Sequence, residues 1–344
     1  MKILLPAFAC LAFLSVRAPA GEPAAPGYRV AKKIPLPGDG GWDFLTCDSA
    51  SRRVYVTHGD QVQALDADSG EIKGAVTGLK GVHGVALAEG KGFISDGKDD
   101  SVVVFESADY KIIKTIKVGK NPDAVLYDPA SNRVFVFNAR SSNLTVIDPK
   151  SLDILGTLPV AGQPEFGAMD GKGALYMDLE DKGELLKIDT QKLKILERWK
   201  TKGCDEPSAM AIDPAHARIF LGCSNKIMEA LDAATGKTIA TLPIGQGVDA
   251  IAFDAAKGLI FASSGDGTLT VARQDAPDRY AVAETVATPR RAKTSALDAQ
   301  THRLFLPTAE FGPAPEQKPG EHKRAPVLPG SFAVLVLDVA PPQQ

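Results

Sequence analysis

Short runs of β-branched and aromatic residues, separated by turn-forming residues, follow one another along the chain. Between residues 132 and 165, three such runs occupy 134–137, 144–147 and 154–160. Asp, Pro, Asn and Gly residues bound them, and these residues favour turns. Runs of about four to eight β-formers with such boundaries are typical of antiparallel strands, and a helical period of about 3.6 residues is absent. The pattern predicts an all-β protein.

An apolar run that ends in an acidic residue recurs at a nearly fixed spacing of roughly 40–43 residues, a period typical of β-propeller blades. The last spacing is longer because it contains a Pro-rich insert, 308–330. A β-helix would repeat at a shorter period, and a helical solenoid would need the missing helical pattern. Seven units of four strand signals fit, so we predict a seven-bladed β-propeller with four antiparallel strands per blade. The runs end at Asp66, Glu106, Asp148, Asp189, Asp232 and Asp338, with Arg273 at the equivalent place in the sixth unit.

The first strand signal, 28–36, has no partner strand before it, and the last unit has only three strand signals of its own. The N-terminal strand therefore supplies the fourth strand of the last blade, beside 332–338. Closure of this kind leaves no open sheet edge in the ring. We expect residues 28–340 to form one propeller domain.

The N-terminus has the pattern of an export signal. Lys2 precedes an apolar run, 3–16, that is too short to span a membrane, and 18–20 read A-P-A, a cleavage signal. We predict a signal peptide at 1–20 and a flexible leader at 21–27. Losing Lys2 and Arg17 would change the formal net charge from −3 to about −5. The prediction is a periplasmic or secreted protein without a later membrane span.

Strand sequences also resemble a known repeat. Residues 53–57 read R-V-Y-V-T and 62–66 read V-Q-A-L-D, which resembles the Y-V-T-N repeat of bacterial propellers, with His58 where the repeat has Asn. Residues 133–148 and 160–164 match the other half of that repeat. Over 28–339 the chain resembles the YncE-like, YVTN-repeat family of exported seven-bladed propellers. The resemblance implies fold and export, and it implies no activity, because propellers host many functions.

The loops before the innermost strands should share one face of the disc with the loops that join second and third strands. Acidic residues and a histidine from successive blades would then form a ring at the channel mouth. Such a ring could bind a divalent cation: carboxylates suit calcium, magnesium or manganese, and one imidazole leaves zinc open. The alternative is that each acid only caps its strand. The candidate ligand-binding residues are Trp42, Asp43, His58, His83, Asp123, Glu165, Glu206, Asp249, Arg290 and Glu310. The candidate metal ligands among them are Asp43, His83, Asp123, Glu165 and Asp249.

The functional prediction is a binding or scaffold protein that takes a small molecule, an ion or a protein segment at the channel face, most simply as a monomer. One alternative is a cation-dependent hydrolase of the lactonase type. A second is an accessory protein of a quinone or haem electron-transfer system. No catalytic residue is assigned, because the sequence contains no G-x-S-x-G, H-E-x-x-H or C-x-x-C-H motif. The charge gives no nucleic-acid signature, and a divalent cation is the one candidate cofactor.

Three of the four cysteines would remain in the mature chain. Cys47, in the first innermost strand, reads as a buried small hydrophobe. Cys204 and Cys223 fall on the same face of one blade, so we expect a disulfide in an oxidising compartment. Free thiols or soft-metal ligands are the alternatives. The insert 308–330 interrupts the last blade on the same face, where it could cap the channel, bind a partner or extend into solvent.

Overall fold

The computed structural model describes residues 24–315 and 325–339, which form a ring of seven four-stranded antiparallel sheets. The seven-bladed β-propeller is therefore confirmed. The predicted signal peptide, 1–20, and the middle of the predicted insert, 316–324, lie outside the described residues. Helix in the described ranges is limited to three short 3-10 turns, and none of it is long or apolar enough to cross a membrane.

Each of the first six blades consists of four consecutive strands, and the first strand of each is innermost, where it contacts the first strands of the neighbouring blades. Strand β1 (Tyr28–Pro35) belongs to the last blade. Blade 1 contains β2 (Trp42–Asp48), β3 (Arg53–His58), β4 (Gln61–Asp66) and β5 (Ile72–Val76). Blade 2 contains β6 (Val82–Ala88), β7 (Lys91–Asp96), β8 (Ser101–Glu106) and β9 (Ile112–Lys117). Blade 3 contains β10 (Pro122–Asp128), β11 (Arg133–Asn138), β12 (Asn143–Ile147) and β13 (Ile154–Pro159).

The remaining blades follow the same order, except that blade 7 takes its outermost strand from the start of the chain. Blade 4 contains β14 (Pro164–Met169), β15 (Ala174–Leu179), β16 (Glu184–Asp189) and β17 (Lys194–Lys200). Blade 5 contains β18 (Pro207–Asp213), β19 (Arg218–Cys223), β20 (Ile227–Asp232) and β21 (Thr238–Pro243). Blade 6 contains β22 (Val248–Asp254), β23 (Leu259–Ser264), β24 (Thr268–Ala276) and β25 (Arg279–Ala287). Blade 7 contains β26 (Ala296–Asp298), β27 (Arg303–Thr308), β28 (Ala333–Val339) and β1.

The apolar cores lie between neighbouring blades, because each sheet is covered on both faces by the sheets beside it. In blade 3, Phe135 and Phe137 are fully buried, and they belong to one cluster with Leu175 and Met177 of blade 4. Burying one such side chain contributes about 1.5–3 kcal/mol. This explains why the second and third strands are almost continuously apolar, whereas outer strands such as β13 are largely exposed.

Aspartates at the far ends of the innermost strands form the turns that lead into the second strands. The Asp128 carboxylate accepts the backbone N–H groups of Ala130 and Ser131, both at 3.1 Å. Asp254 does the same for the N–H groups two and three residues after it. An Asp that bonds its own backbone in this way fixes a tight turn, so these aspartates have a local structural role.

The ring is closed by β1, as the sequence predicts. It pairs antiparallel with β28, from Tyr28 opposite Val339 to Pro35 opposite Ala333. The buried Tyr28 ring packs edge-on against Phe261 of blade 6 at 5.0 Å, and its hydroxyl donates to the carbonyl of His302 at 2.9 Å. The N-terminal strand therefore joins the last two blades and covers the free edge of β28.

The predicted disulfide is present. Cys204, in the loop before β18, is bonded to Cys223 at the end of β19, and both residues are buried. The bond ties the loop that enters blade 5 to the second strand of the same blade. Cys47 is half-buried and outside any disulfide, and burial raises the pKa of its thiol to about 12, so it is a poor nucleophile.

Removing β1 should destabilise the ring, because β1 and the residue after it bury Tyr28, Ile34 and Leu36 and cover the edge of β28. We expect a chain that starts after Leu36 to aggregate or to lose several kcal/mol of unfolding free energy, the scale on which a domain becomes marginal. A chain that starts at Gly27 keeps the strand and is the control. Urea denaturation of both chains measures the difference, and equal midpoints would contradict closure by β1.

The disulfide should contribute about 3 kcal/mol to the unfolding free energy, because it closes a loop of 19 residues in the unfolded chain. We expect the double variant Cys204→Ser, Cys223→Ser to lose this amount in urea denaturation. Cys47→Ala, which keeps the bond, is the control. Peptide mapping without reductant should find one linked pair. A double variant that unfolds at the parental midpoint would show that the bond adds no stability.

Candidate functional site

The second residues of the innermost strands surround one end of the central channel. Contacts between neighbouring blades join several of them: Asp43 to His83, His83 to Asp123, and Asp249 to Lys293. We call this set the channel-mouth ring. In blade order it consists of Asp43, His83, Asp123, Glu165, Ser208, Asp249 and, at the equivalent place before the short β26, Lys293.

A local irregularity fixes the direction of these side chains. The pairing of the innermost strand with the second strand shifts register just after the strand starts, between Trp42 and Leu45 in blade 1 and at equivalent places in blades 2 to 6. A β-bulge of this kind re-aims a side chain and leaves backbone groups unpaired. In blade 1 the hydroxyl of Thr57 fills the gap, accepting the N–H of Asp43 at 3.1 Å and donating to the carbonyl of Phe44 at 2.9 Å.

The position of the second strand that Thr57 occupies in blade 1 also holds a polar residue in several other blades. Ser95 in blade 2 accepts the N–H of Gly84 at 2.8 Å and donates to the carbonyl of Asp123 in blade 3. In blade 4 the position holds Asp178, which is fully buried and accepts the N–H of Phe166 at 2.8 Å. Burial raises the pKa of Asp178 well above its ordinary value. These side chains hold the start of each innermost strand in place.

Three members of the ring come close enough to share one ion. His83 Nδ1 lies 2.6 Å from Asp43 Oδ2 and 3.6 Å from Asp123 Oδ1. One ligand atom from each of the three residues falls within 4.8 Å of the others. Burial alone would lower the pKa of His83, but its hydrogen bond to Asp43 and the charge of Asp123 outweigh burial and raise that pKa. The imidazole therefore carries positive charge readily between the two carboxylates.

Positive charge does not balance the acids of the ring. Burial first, and then the charge of Asp43, raise the pKa of Asp123 to about 7. Burial and the charges of Asp123 and Asp178 raise the pKa of Glu165 to about 9. Lys293 forms an ion pair with Asp249 on the other side of the mouth. The carboxylates of the ring repel one another, and bound protons or a bound cation can reduce this repulsion.

An apolar contact forms the floor of the mouth. The rings of Phe44 in blade 1 and Phe166 in blade 4, each directly after a ring residue, meet across the channel at 5.1 Å. Both also line a cavity of about 910 Å³ that continues towards the opposite face. A ligand at the ring would therefore rest on two aromatic side chains and face solvent on its other side.

Two other candidate residues lie away from the ring, in the packing between blades 1 and 7. Trp42 packs at a tilt against Phe311 and Phe332, with ring centroids 5.9 Å and 5.4 Å away. His58 is fully buried and stacks on Phe332 at 3.7 Å, and burial lowers its pKa. Phe311 belongs to the described start of the predicted insert, so one end of the insert packs on this face.

The other three candidate residues are exposed. Glu206 lies directly before β18, where its charge contributes, after burial, to the raised pKa of Glu180. Arg290 lies in the loop before Lys293. Glu310 forms an ion pair with Lys33 of the outermost strand at 3.6 Å, so it lies towards the rim of the disc. Five of the ten candidates thus belong to the channel-mouth ring, and three of these, Asp43, His83 and Asp123, lie within 4.8 Å of one another. The other five candidates lie outside the ring.

Two ring positions were missed from the sequence, Ser208 and Lys293. A signal for both exists, because each ring residue lies five positions before the end of the apolar run in its innermost strand, as Asp249 does before Asp254. Counting back from Asp298 gives Lys293 in place of Arg290. No sequence signal marks Asp178, which replaces a serine or threonine of other blades.

No protein-family model matches this chain. A segment is 27% identical over 147 residues to the uncharacterised protein YncE of Salmonella typhi, and 26% identical over 147 residues to that of Salmonella typhimurium. This chain is similar to YncE. Each match spans 40% of this chain and 41% of the relative. Together with the seven blades, the similarity is consistent with the YncE-like propeller that the repeat predicts.

Solved structures share the architecture at low identity. A chain in the crystal structure of a mitotic checkpoint complex superposes with a TM-score of 0.72 at 17% identity, covering 87% of this chain and 95% of that one. Hydrazine synthase of Kuenenia stuttgartiensis gives a TM-score of 0.67 at 15% identity, covering 79% of this chain and 94% of that one. These similarities show the fold alone.

The raised pKa of Glu165 predicts that stability depends on pH. In the folded protein this carboxyl binds its proton up to about pH 9, against an ordinary pKa of 4.5, so the folded state holds the extra proton between these values. Its contribution is complete below about pH 4.5 and is lost as the pH rises towards about 9. We expect the unfolding free energy, measured in chelator, to fall over this range.

Glu165→Gln should reduce the dependence of the unfolding free energy on pH. It should also make the variant more stable than the parent at about pH 8, because the amide keeps the shape of the side chain without its charge. Glu197→Gln, which removes an exposed carboxyl from outer strand β17, is the matched control and should keep the parental slope. Urea denaturation at several pH values measures all three proteins. A Glu165→Gln variant with the parental slope would contradict the repulsion in the ring.

Proposed function

We propose that this protein is an exported binding protein whose channel-mouth ring holds a divalent cation through Asp43, His83 and Asp123. The observation that carries the proposal is the convergence of one imidazole and two carboxylates, from three different blades, within 4.8 Å. Glu165 and Asp249 lie near these ligands, and their carboxyl groups interact electrostatically with Asp123.

The donor set and its spacing suit a borderline metal ion. Zinc binds imidazole and carboxylate at about 2.0–2.2 Å, which places neighbouring ligand atoms roughly 3–3.5 Å apart in a tetrahedral site. His83 Nδ1 lies 2.6 Å and 3.6 Å from the two carboxylates, so small side-chain movements would suffice. One imidazole beside two carboxylates also fits manganese. A cation here would take the place of the positive charge that a protonated His83 supplies between the two carboxylates. It would also reduce the repulsion among the acids of the ring.

Export is part of the proposal. The buried Cys204–Cys223 disulfide fits an oxidising compartment, because such bonds are rare in the cytosol. The predicted signal peptide at 1–20 and the similarity to YncE support the same conclusion. A periplasmic or secreted location would also give the exposed mouth access to metal ions and small molecules outside the cytoplasm.

The runner-up function is a cation-dependent hydrolase of the lactonase type, and one observation favours it. Burial raises the pKa of Asp123 to about 7, which is the range in which a carboxylate serves as a general base near neutral pH. A cation beside it would activate water or polarise an ester carbonyl. Hydrolysis of simple lactones by the metal-loaded protein, lost in Asp123→Asn, would favour this function over binding alone.

Titration with manganese or zinc at about pH 7.5 tests the cation site. We expect the metal-free protein to bind about one ion, and Asp123→Asn to raise the Kd at least about tenfold, which corresponds to about 1.4 kcal/mol. Bound cation should also raise the melting temperature, because it binds only the folded state. Calorimetric titration and thermal unfolding give the two measurements.

Asp60→Asn is the control for the titration. Asp60 is an exposed acid in the turn between β3 and β4, and its replacement changes the net charge by the same amount. Its Kd should stay within about twofold of the parent, a change well below 1 kcal/mol. Equal losses in both variants, or parental protein that binds no ion, would refute the site.

A further inference from the structure

A second pocket lies beside the channel mouth, between blades 2 and 3, and its charge is opposite to that of the ring. It has a volume of about 520 Å³. Lys98, Lys120 and Arg140 line it together with His83, Asp100 and Asn121. The three basic residues are exposed at its rim, where their charged groups can reach a ligand. We call this set the basic pocket.

The fold supplies each cation from a separate loop, and hydrogen bonds hold the loops together. Lys98 lies in the 3-10 turn Gly97–Asp99 of blade 2, and Arg140 lies in the turn Ala139–Ser141 of blade 3. Lys120 lies between β9 and β10, where its carbonyl accepts the N–H of Arg140 at 3.2 Å. The N–H of Asn121 donates to Asp100 Oδ1 at 2.9 Å. The pocket is therefore formed before any ligand arrives.

The cations of the basic pocket differ from those beside it. Lys80 and Lys117 both form ion pairs with Asp99, the neighbour of Lys98. In contrast, within residues 24–315 and 325–339, Lys98, Lys120 and Arg140 form no ion pair with any acid. Asp99 thus pairs with two lysines outside the pocket, and the three basic residues of the pocket remain available to a ligand.

The charge balance indicates the class of ligand. The three cations of the basic pocket face one carboxylate, that of Asp100, which already accepts a backbone N–H. Two positive charges therefore remain uncompensated. A phosphate monoester carries close to two negative charges near pH 7 and presents three acceptor oxygens, so it matches this balance better than a single carboxylate does.

His83 joins the pocket to the channel-mouth ring. Its Nδ1 bonds Asp43, and its Nε2 lies on the side of the pocket, 2.6 Å from where a Cβ at position 97 would stand. Gly97 leaves that space open. A ligand in the pocket can therefore approach the Nε2 edge of the imidazole.

We propose that the basic pocket binds the phosphate group of a phosphorylated small molecule through Lys98, Lys120 and Arg140. The site adds an anion subsite to the face that carries the ring. It stands independently of the proposed cation, because none of its three cations belongs to the ring. A ligand that fills both sites would place its phosphate between blades 2 and 3 and the rest of the molecule over the mouth.

Titration of inorganic phosphate in chelator, at constant ionic strength, tests the proposal with a defined probe. We expect saturable binding of about one phosphate by the parental protein, and a Kd at least about tenfold higher in the triple variant Lys98→Gln, Lys120→Gln, Arg140→Gln, about 1.4 kcal/mol. The control, Arg29→Gln, Lys150→Gln, Lys237→Gln, removes the same charges from exposed positions elsewhere and should stay within about twofold. Absence of saturable phosphate binding by the parent, or equal losses in the two triple variants, would overturn the proposal.

Two further measurements separate the sources of phosphate and the two sites. Sedimentation with phosphatidylglycerol vesicles tests a lipid headgroup, and vesicle binding without binding of free phosphate would overturn the proposal of a small-molecule ligand. Manganese titration of the basic-pocket variant tests independence from the ring. We expect the variant to keep its affinity for manganese, and loss of both ligands together would contradict a separate anion site.

Discussion

Seven innermost strands begin around one narrow channel, so the side chains at their second positions have to share one small volume. The blade packing sets this geometry, and a bulge at the start of most of these strands turns each side chain towards the axis. The ring contains four carboxylates, and its cations, Lys293 and a protonated His83, leave part of that charge uncompensated. Protonation or a bound cation has to supply the rest.

The rest of the molecule stabilises this arrangement. Apolar clusters between blades supply most of the stability, and closure by β1 keeps the ring from opening at blade 7. The bond between Cys204 and Cys223 anchors the loop that leads to the blade 5 position of the ring. Burial of the acids of the ring costs free energy, because it disfavours their charged forms. The acids can stay buried only because the stability of the rest of the fold exceeds this free-energy cost.

The repeat period and the turn residues make the fold predictable, because each of the first six blades is built from consecutive strands. Closure by β1 follows from the strand count, since the last blade has only three strands of its own, and the disulfide follows from the placement of Cys204 and Cys223 on one blade. The ring is predictable where strand starts are clear, as for Asp123. At Lys293 the start of the strand is not clear, because β26 is short and its preceding loop is irregular, so this position has to be counted back from Asp298. The role of Trp42 depends on Phe311, which is far away in the sequence. The basic pocket depends on which lysines lack an acid, and no sequence pattern distinguishes Lys98 from the paired Lys80.

The proposed function, binding of a small charged ligand with a metal ion at the mouth, rests on the two charged sites on one face. The most direct test is anomalous diffraction from crystals grown with manganese. A site at the ring would give one peak at about 2.0–2.2 Å from carboxylate oxygens of Asp43 and Asp123 and from a ring nitrogen of His83. Manganese peaks only elsewhere on the protein, with His83 still bonded to Asp43, would contradict the cation site.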